Sequence, residues 1–592
     1  MAETKSNVIK GGSFLVEDIS SDRIYTPEEF TEEHKMIGKT TEDYIQKDVA
    51  PHIEEIENHQ FDLSLKLLKK AGELGLLGAD VPEKYGGIDL DKISSSIITE
   101  KFALAGSFSL SYGAHVGIGS LPIVFFGNEA QKKKYLPDLA SGEKIAAYAL
   151  TEPGSGSDAL GAKTVAKLND EGTHYILNGE KQWITNAGFA DVFIVYAKID
   201  GDKFTAFIVE RDLQGVSTGP EEKKMGIKGS STRTLILEDV VVPKENVLGE
   251  IGKGHIIAFN ILNIGRYKLA VGCVGGCKRA IEISAQYANE RQQFKLPIAK
   301  FTIIQQKLAD MAIQTYATES SVYRTVGLFE DSLSRLSEEQ LEDGQETAKA
   351  IADYALECSL NKVFASEALD FVADEAVQIH GGYGFMSEYE VETIYRNSRI
   401  NRIFEGTNEI NRLLVPATIM RKAMKGELPL MEKATALQEE LLMMMPEQPG
   451  DSPLEREKAI VSMSKKVFLM AAGLAVQKYG EKLEREQEVL ANIADIVSEI
   501  YAMESCLLRA EKELNKGENA DLKIKYTEVF CQESMDRIER FAKQIILATE
   551  EGDMKRMMLS ALRKLTRYEP MNVISTKREI ASLLLKSNKY LV

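Results

Sequence analysis

The strongest constraint on the fold is a change of hydrophobic rhythm along the chain. From Thr26 to about Gly142 apolar residues recur every three to four positions, as in Leu63, Leu67, Leu68 and Leu74, with DVPEKYGG (80–87) as a turn-rich interruption. Between about Ala146 and Gly249 the period becomes two, and from about His255 to Lys425 the helical spacing returns, broken at HGGYGF (380–385) and EGTNE (405–409). The first spacing gathers apolar side chains on one helix face and the second on one strand face, so the chain reads α, β, α. Within the β stretch, YILNGEKQWI (175–184) predicts two strands about an Asn178-Gly179 turn. DVFIVYAK (191–198) and KFTAFIVE (203–210) predict a hairpin about Asp200-Gly201-Asp202, and TLILEDVVVP (234–243) adds a strand.

A further stretch, Glu427 to Val592, is helical again after MPEQPGDSP (445–453). There Val489, Ile493, Ile496, Ile500, Met503 and Leu507 alternate by four and three, drawing one apolar seam along a long helix. Packing inside the same protein is the plain reading of that seam, and docking to a membrane or another chain is the alternative. The domains expected are 26–145 (helical), 146–254 (β), 255–425 (helical) and 426–592 (an additional helical domain), which a length of 592 residues accommodates.

Charge and cysteine usage narrow the function. Lys+Arg 72 against Asp+Glu 90 leaves a net charge of −18, which argues against a surface that grips nucleic acid phosphates, and QKKKY (131–135) reads as a solvated helix face. Cys273, Cys277, Cys358, Cys506 and Cys531 form no CxxC pair and are odd in number, which suits core-filling thiols in a reducing compartment. Met1 to Asp22 holds no apolar run of the signal-peptide kind and no Arg, and the longest uninterrupted apolar stretch, Val467 to Val476, is short of the roughly 20 residues of a spanning helix. A cytoplasmic protein is therefore expected. No Walker A, GxGxxG, HExxH or GxSxG sequence occurs, and no metal site is expected.

Three constellations remain. In ALTEPGSGSD (149–158), Gly154 and Gly156 would let backbone amides approach a phosphate, with Thr151, Ser155 and Ser157 as further donors; an ordinary helix-to-sheet turn has the same composition. Trp183, the chain's only tryptophan, reads alone as a core aromatic. In RINRIFEGTNEINRLLV (399–415), Glu405 beside Gly406 is either a carboxylate projecting into a cavity as a general base, or an exposed acid ahead of an N-cap at Thr407. Arg266, Arg291 and the glycines of QIHGGYGF (378–385) could meet phosphates, although singly they read as surface cations and a structural turn.

Taken together these segments resemble the acyl-CoA dehydrogenase family. YALTEPGSGSD (148–158), QWIT (182–185), QIHGGYGF (378–385) and RIFEGTNEI (402–410) occur in the family's order over about residues 26–425. EKKMGIKGS (222–230), VPKENVLGE (242–250) and NILNIGR (260–266) resemble the very-long-chain branch, which also carries a helical C-terminal extension. The resemblance implies a mostly α fold with a central β domain: an α-helical N-terminal domain, a β-barrel or sandwich middle domain, a C-terminal four-helix bundle and an extra helical domain. It also implies FAD bound across a homodimer contact, long-chain acyl-CoA oxidised to trans-2-enoyl-CoA in fatty-acid β-oxidation, and electron-transfer flavoprotein as partner.

Carried residue by residue, the resemblance implies that Tyr148, Leu150, Thr151 and Ser157 line the flavin ring and pyrophosphate, with Ser157 also near substrate. Trp183 and Thr185 would flank the flavin; Arg291, Phe294, Gln378 and Gly382 would serve its adenosine and pyrophosphate end, partly from the neighbouring subunit; Thr407 and Glu409 would touch FAD. Arg266 and Gly406 fall in the acyl-CoA site, and Glu405 matches the α-proton base, with Gly265 where some relatives carry theirs. IGSLPIVFFG (118–127) would floor the acyl pocket, Gly119 adding depth and Pro122 replacing a second glycine. An acyl-CoA oxidase and a DNA-binding member of the fold are the alternative functions, and peripheral membrane contact through 426–592 is a further expectation.

Overall fold

The computed structural model describes residues 8–443, 450 and 452–592; residues 445–449 and 451 of the break 445–453 lie outside them. Helix starts fall where side chains satisfy the orphan amides of a first turn. Ahead of α1 (Glu32–Tyr44), Thr31 accepts from His34 N at 3.2 Å. The helix α2 (Phe61–Glu73) follows, then α3 (Lys92–Phe102), where Asp91 accepts from Ser94 N at 2.7 Å, and α4 (Glu129–Ser141), capped reciprocally by Asn128 and Gln131. Gln131 and Lys132 are largely buried, so QKKKY is only in part the solvated face expected.

The sheet comprises β1 (Ala146–Ala149), β2 (Val165–Leu168), β3 (His174–Thr185), β4 (Val192–Ile199), β5 (Lys203–Glu210), β6 (Val216–Thr218), β7 (Thr232–Pro243) and β8 (Val247–Leu248). Its order is β6-β7-β3-β2-β4-β5-β8, with β1 parallel to β4. β4 and β5 form the predicted hairpin, Ile199 facing Lys203. Residues 175–184 do not turn at Asn178-Gly179; they belong to the single strand β3, which meets β7 through two register shifts. The glycine serves close approach instead: a Cβ at 179 would stand 2.4 Å from Thr164 Oγ1. Asn178 exchanges two 2.9 Å hydrogen bonds with Asp239 of β7, so the pair marks a bulge.

The second helical layer contains α5 (Gly254–Glu290), α6 (Thr302–Leu333), α7 (Ala355–His380) and α8 (Asn408–Met424). α5 is central, flanked by α3, α6 and α7. A Cβ at Gly275 would lie 2.2 Å from Glu100 O, which is why α3 can cross α5 so closely. After α5, the two-residue strands Gln292–Gln293 and Leu296–Pro297 pair, and Phe294 and Lys295 make their left-handed turn.

The extension adds α9 (Glu455–Tyr479), α10 (Gln487–Lys516), α11 (Asp521–Thr549) and α12 (Val573–Ser587). The six seam residues of α10 are all buried, against α6, α8 and α11, so the seam is internal packing and not a docking face. Two stretches, Phe108–Phe126 and Glu455–Arg485, do reach the length and hydropathy of a membrane span, contrary to the expectation from uninterrupted apolar runs; they are 78% and 44% buried within this protein. Charges cross the same interface. Arg509 on α10 is fully buried; its Nη1 donates to Glu319 of α6 at 2.8 Å, its Nη2 to Glu28 at 2.7 Å, and its guanidinium lies 4.9 Å over Tyr316. Glu319 also holds Lys278 of α5 at 2.5 Å, which reaches Glu100 of α3 at 2.7 Å. Tyr590 beyond α12 donates to Glu319 at 3.0 Å.

Candidate active site

The turn between the bundle helices and α8 is unusual in its backbone. Glu405 and Gly406 are both left-handed, with φ of 56° and 80°. For the glutamate that conformation costs roughly 1–2 kcal/mol, so its surroundings must hold it. Asn411 Nδ2 on α8 donates to the carbonyls of Glu405, Gly406 and Thr407 at 3.4, 2.8 and 3.1 Å. Arg266 Nε on α5 donates to Glu405 O at 3.2 Å, and Lys362 Nζ on α7 to Gly406 O at 2.7 Å. With the carbonyls drawn inward, the Glu405 N–H has no acceptor among the described residues. Thr407 does cap α8, accepting from Ile410 N at 3.3 Å.

The Glu405 carboxyl is not the exposed acid that a helix start suggests. It rests on Gly265, where a Cβ would meet its Oε2 at 2.5 Å, and that oxygen is buried without a hydrogen-bond partner among the described residues. Burial pushes its pKa up to about 7, against the opposing pull of Arg266 and Lys362. Arg266 is 7% exposed, which corrects its reading as a surface cation, and its Nη1 donates to Asn263 Oδ1 at 2.9 Å. Burial lowers the Arg266 pKa while Glu405 opposes the shift.

A second wall comes from the sheet. Gln182 N donates to Thr151 O at 2.8 Å, joining the 149–158 turn to β3 next to Trp183. Behind the turn lies a buried pair that sequence reasoning missed: Lys181 Nζ meets Glu152 Oε1 at 2.7 Å and Leu150 O at 3.3 Å. Glu152 also accepts from Lys163 N, Thr164 N and Thr164 Oγ1, and burial lowers the Lys181 pKa to about 8. The available signal was the Glu inside TEPGSGSD, a carboxylate in a segment otherwise built of small residues. Trp183 is 58% exposed at φ 60° in the second irregularity of β3, so it is not a core aromatic; the bulge turns its indole outward. The Tyr148 hydroxyl is buried and lacks a partner among the described residues. Side chains added at Gly154 or Gly156 would touch nothing, so the turn offers bare backbone beside the exposed Ser157.

The remaining predicted residues sit elsewhere. Arg291 ends α5 with its guanidinium 5.2 Å over Tyr383; Phe294 is 88% exposed; Gln378 and Gly382 are exposed at the end of α7. Arg266 and Arg291 are about 25 residues apart on one helix, hence about 37 Å at 1.5 Å per residue. One chain therefore does not bring the two groups together. Thr407 and the exposed Glu409 stay with the inner group, at the start of α8. At Gly119 a Cβ would lie 2.8 Å from Ala146 Cβ and 3.0 Å from Ala114 O, so the missing side chain lets this segment pack on β1.

The inner group fits FAD. Trp183 and Tyr148 offer surfaces to a flat ring, and Thr151, Ser157 and the bare 154–156 backbone offer donors to phosphate. An α–β–α flavoprotein dehydrogenase is the class that this fold and site define. Models of the acyl-CoA dehydrogenase N-terminal domain match residues 31–143, of the middle domain 147–240, and of the C-terminal domain 252–420 and 463–564. A probable acyl-CoA dehydrogenase of Bacillus subtilis is 70% identical over 594 aligned positions, covering 100% of both chains. A crystal structure of an acyl-CoA dehydrogenase complexed with FAD from Bacillus anthracis superposes with a TM-score of 0.98 at 70% identity, covering 99% of this chain and 100% of that one. The mitochondrial very long-chain specific acyl-CoA dehydrogenase of Macaca fascicularis is 36% identical over 498 residues, 79% of this chain and 73% of that protein. The chain belongs to the acyl-CoA dehydrogenase family and is an FAD-dependent acyl-CoA dehydrogenase.

Proposed function

We propose that this dehydrogenase converts long-chain fatty acyl-CoA to trans-2-enoyl-CoA in fatty-acid β-oxidation, with Glu405 removing the α-proton. The observation that carries the reading is the buried, unpartnered Glu405 Oε2, held against Gly265 on a turn whose own N–H is free. A thioester acidifies the hydrogens on its neighbouring carbon, and a base with a pKa near 7 is matched to remove one at neutral pH. The free Glu405 N–H can donate to the thioester oxygen, where negative charge develops as the proton leaves. FAD, when bound, supplies the acceptor for the β-hydride.

The long-chain assignment is supported by the very long-chain relative at 36% identity, and electron-transfer flavoprotein is the acceptor proposed. The separation of Arg291, Phe294, Gln378 and Gly382 from Arg266 supports a homodimer in which the outer group of one copy serves the flavin of the other. Five buried, free cysteines support action in the cytoplasm.

Anaerobic mixing of the yellow holoenzyme with butyryl-, octanoyl- and palmitoyl-CoA tests the reading, with palmitoyl-CoA expected to bleach the flavin fastest. Fastest bleaching by butyryl-CoA overturns the chain length, and no bleaching by any of them overturns the thioester chemistry. Reoxidation by air as fast as by electron-transfer flavoprotein would make the protein an oxidase.

A further inference from the structure

Lys362 is an odd residue to find where it lies. It sits mid-helix on α7, is 0% exposed and meets no carboxylate within ion-pair distance among the described residues; its ammonium donates instead to Gly406 O and Asn408 Oδ1, both at 2.7 Å. Asn408 is itself fixed, its Nδ2 donating to Ser366 Oγ and Glu367 Oε1, each at 3.0 Å. A buried cation whose acceptors are a strained carbonyl and an oriented amide is expensive unless it serves something nearby. The nearby group is Glu405, one residue from the carbonyl that Lys362 holds.

We propose that Lys362 is a positioning residue for the general base: it pins the left-handed 405–406 turn through Gly406 O and holds a positive charge beside the turn that carries Glu405. The inference rests on the function proposed above. The charged and titratable groups facing Lys362 are Arg266 and Cys273 on α5 and Glu405 and Glu409 at the start of α8. Of the two cations that counter the burial of Glu405, Arg266 spends its Nε and Nη1 on Glu405 O and Asn263, and Lys362 approaches from the opposite helix. Burial draws the Lys362 pKa down to about 8, with Cys273 and Glu405 opposing the shift, so the charge persists through neutral pH. Its two acceptors, Gly406 O and Asn408 Oδ1, lie in the turn that carries residue 405, so its effect reaches the reaction through that turn.

The test uses the FAD-loaded enzyme and two readouts. Infrared difference spectra between each protein and its Glu405→Gln counterpart titrate the Glu405 carboxyl without turnover, and anaerobic palmitoyl-CoA bleaching across pH titrates the base in action. In Lys362→Met and Lys362→Gln both midpoints should move up by about one pH unit, lowering the bleaching rate at pH 7 about fivefold with little change in KM. Lys362→Arg, which restores the charge, should return the midpoint towards that of the wild type. Lys362→Gln keeps a donor to Gly406 and so carries the test should Lys362→Met not fold. Unshifted midpoints in a yellow Lys362→Gln enzyme would overturn the proposal, whereas a wild type that is not bleached by any acyl-CoA would instead overturn the reading on which it rests.

Discussion

Glu405 and Arg509 are both buried ionisable groups held by helices, yet their surroundings are opposite. Around Arg509 every charge meets a counter-charge: Glu28, Glu319, Lys278 and Glu100 form a chain of pairs from the N-terminal arm to α3. Against the upward push of burial, Arg509 draws Glu28 down to about 2, and Arg509 itself is held well above its ordinary pKa by Glu28 and Glu319 despite its own burial. Around Glu405 the same burial meets two cations that both spend hydrogen bonds on backbone carbonyls, and one carboxyl oxygen is left bare. Burial alone therefore does not make a group reactive; leaving it short of partners does.

The comparison breaks most readily at its two centres. Replacing Glu405 by Gln should lower anaerobic bleaching by acyl-CoA on the order of 10²–10⁴-fold or more, with FAD content unchanged. Arg509→Met removes the cation shared by Glu28 and Glu319, leaving Glu319 to Lys278 and Glu28 to Lys523 at 3.4 Å, and should cost about 3 kcal/mol in denaturant unfolding while the folded holoenzyme keeps its rate. A variant that lost rate in proportion to stability would show that the two regions are not separable. Gly265→Ala inserts a methyl where Glu405 Oε2 now lies, so it should misplace the base and lower the bleaching rate by about 10²-fold with little loss of stability.

The finest distinction is between two unpartnered carboxyls. Glu357 at the start of α7 also has a bare, buried Oε2; its Oε1 accepts from Gly12 N at 2.7 Å, and burial pushes its pKa up to about 7. A carboxyl raised from 4.5 keeps a proton in the folded state that the unfolded chain has released, so stability falls as pH rises from about 4.5 to about 7 and stays reduced above it. Glu28, depressed to about 2, works the other way: its contribution is complete above about 4.5 and is lost as pH falls towards 2. Glu357→Gln should thus raise stability at pH 8 by about 1–3 kcal/mol, leave it unchanged at pH 4, and leave the bleaching rate within about twofold. A large rate loss in that variant would mean that position matters less than the comparison says.

Much of this was readable from the chain. The α, β, α order followed from periodicity because each layer buries one face, and the β4–β5 hairpin followed from a loop whose Asp200 and Gly201 do adopt positive φ. Asn178-Gly179 misled because an Asn-Gly pair is equally at home in a bulge when another strand presses on the glycine. The motif at 402–410 pointed to Glu405, and the resemblance named Arg266 and Gly265, but no local pattern showed that these residues of α5 and Lys362 of α7 would surround the carboxyl. Lys362 carried no local signal at all, since a lysine in a helical stretch is ordinarily a solvated cation. Read alone as a core aromatic, Trp183 was misplaced for the converse reason, a strand irregularity that no alternation pattern records.

The pairing of Glu28 with Arg509, and of Glu319 with Tyr590, has a consequence for synthesis. The ribosome delivers the acid of the first pair hundreds of residues before its cation, so during elongation the N-terminal arm waits without its partner. Until α10 has emerged the pairing of Glu28 with Arg509 cannot form, so this long-range contact closes late in synthesis and a chain halted before it leaves part of the helical core uncovered.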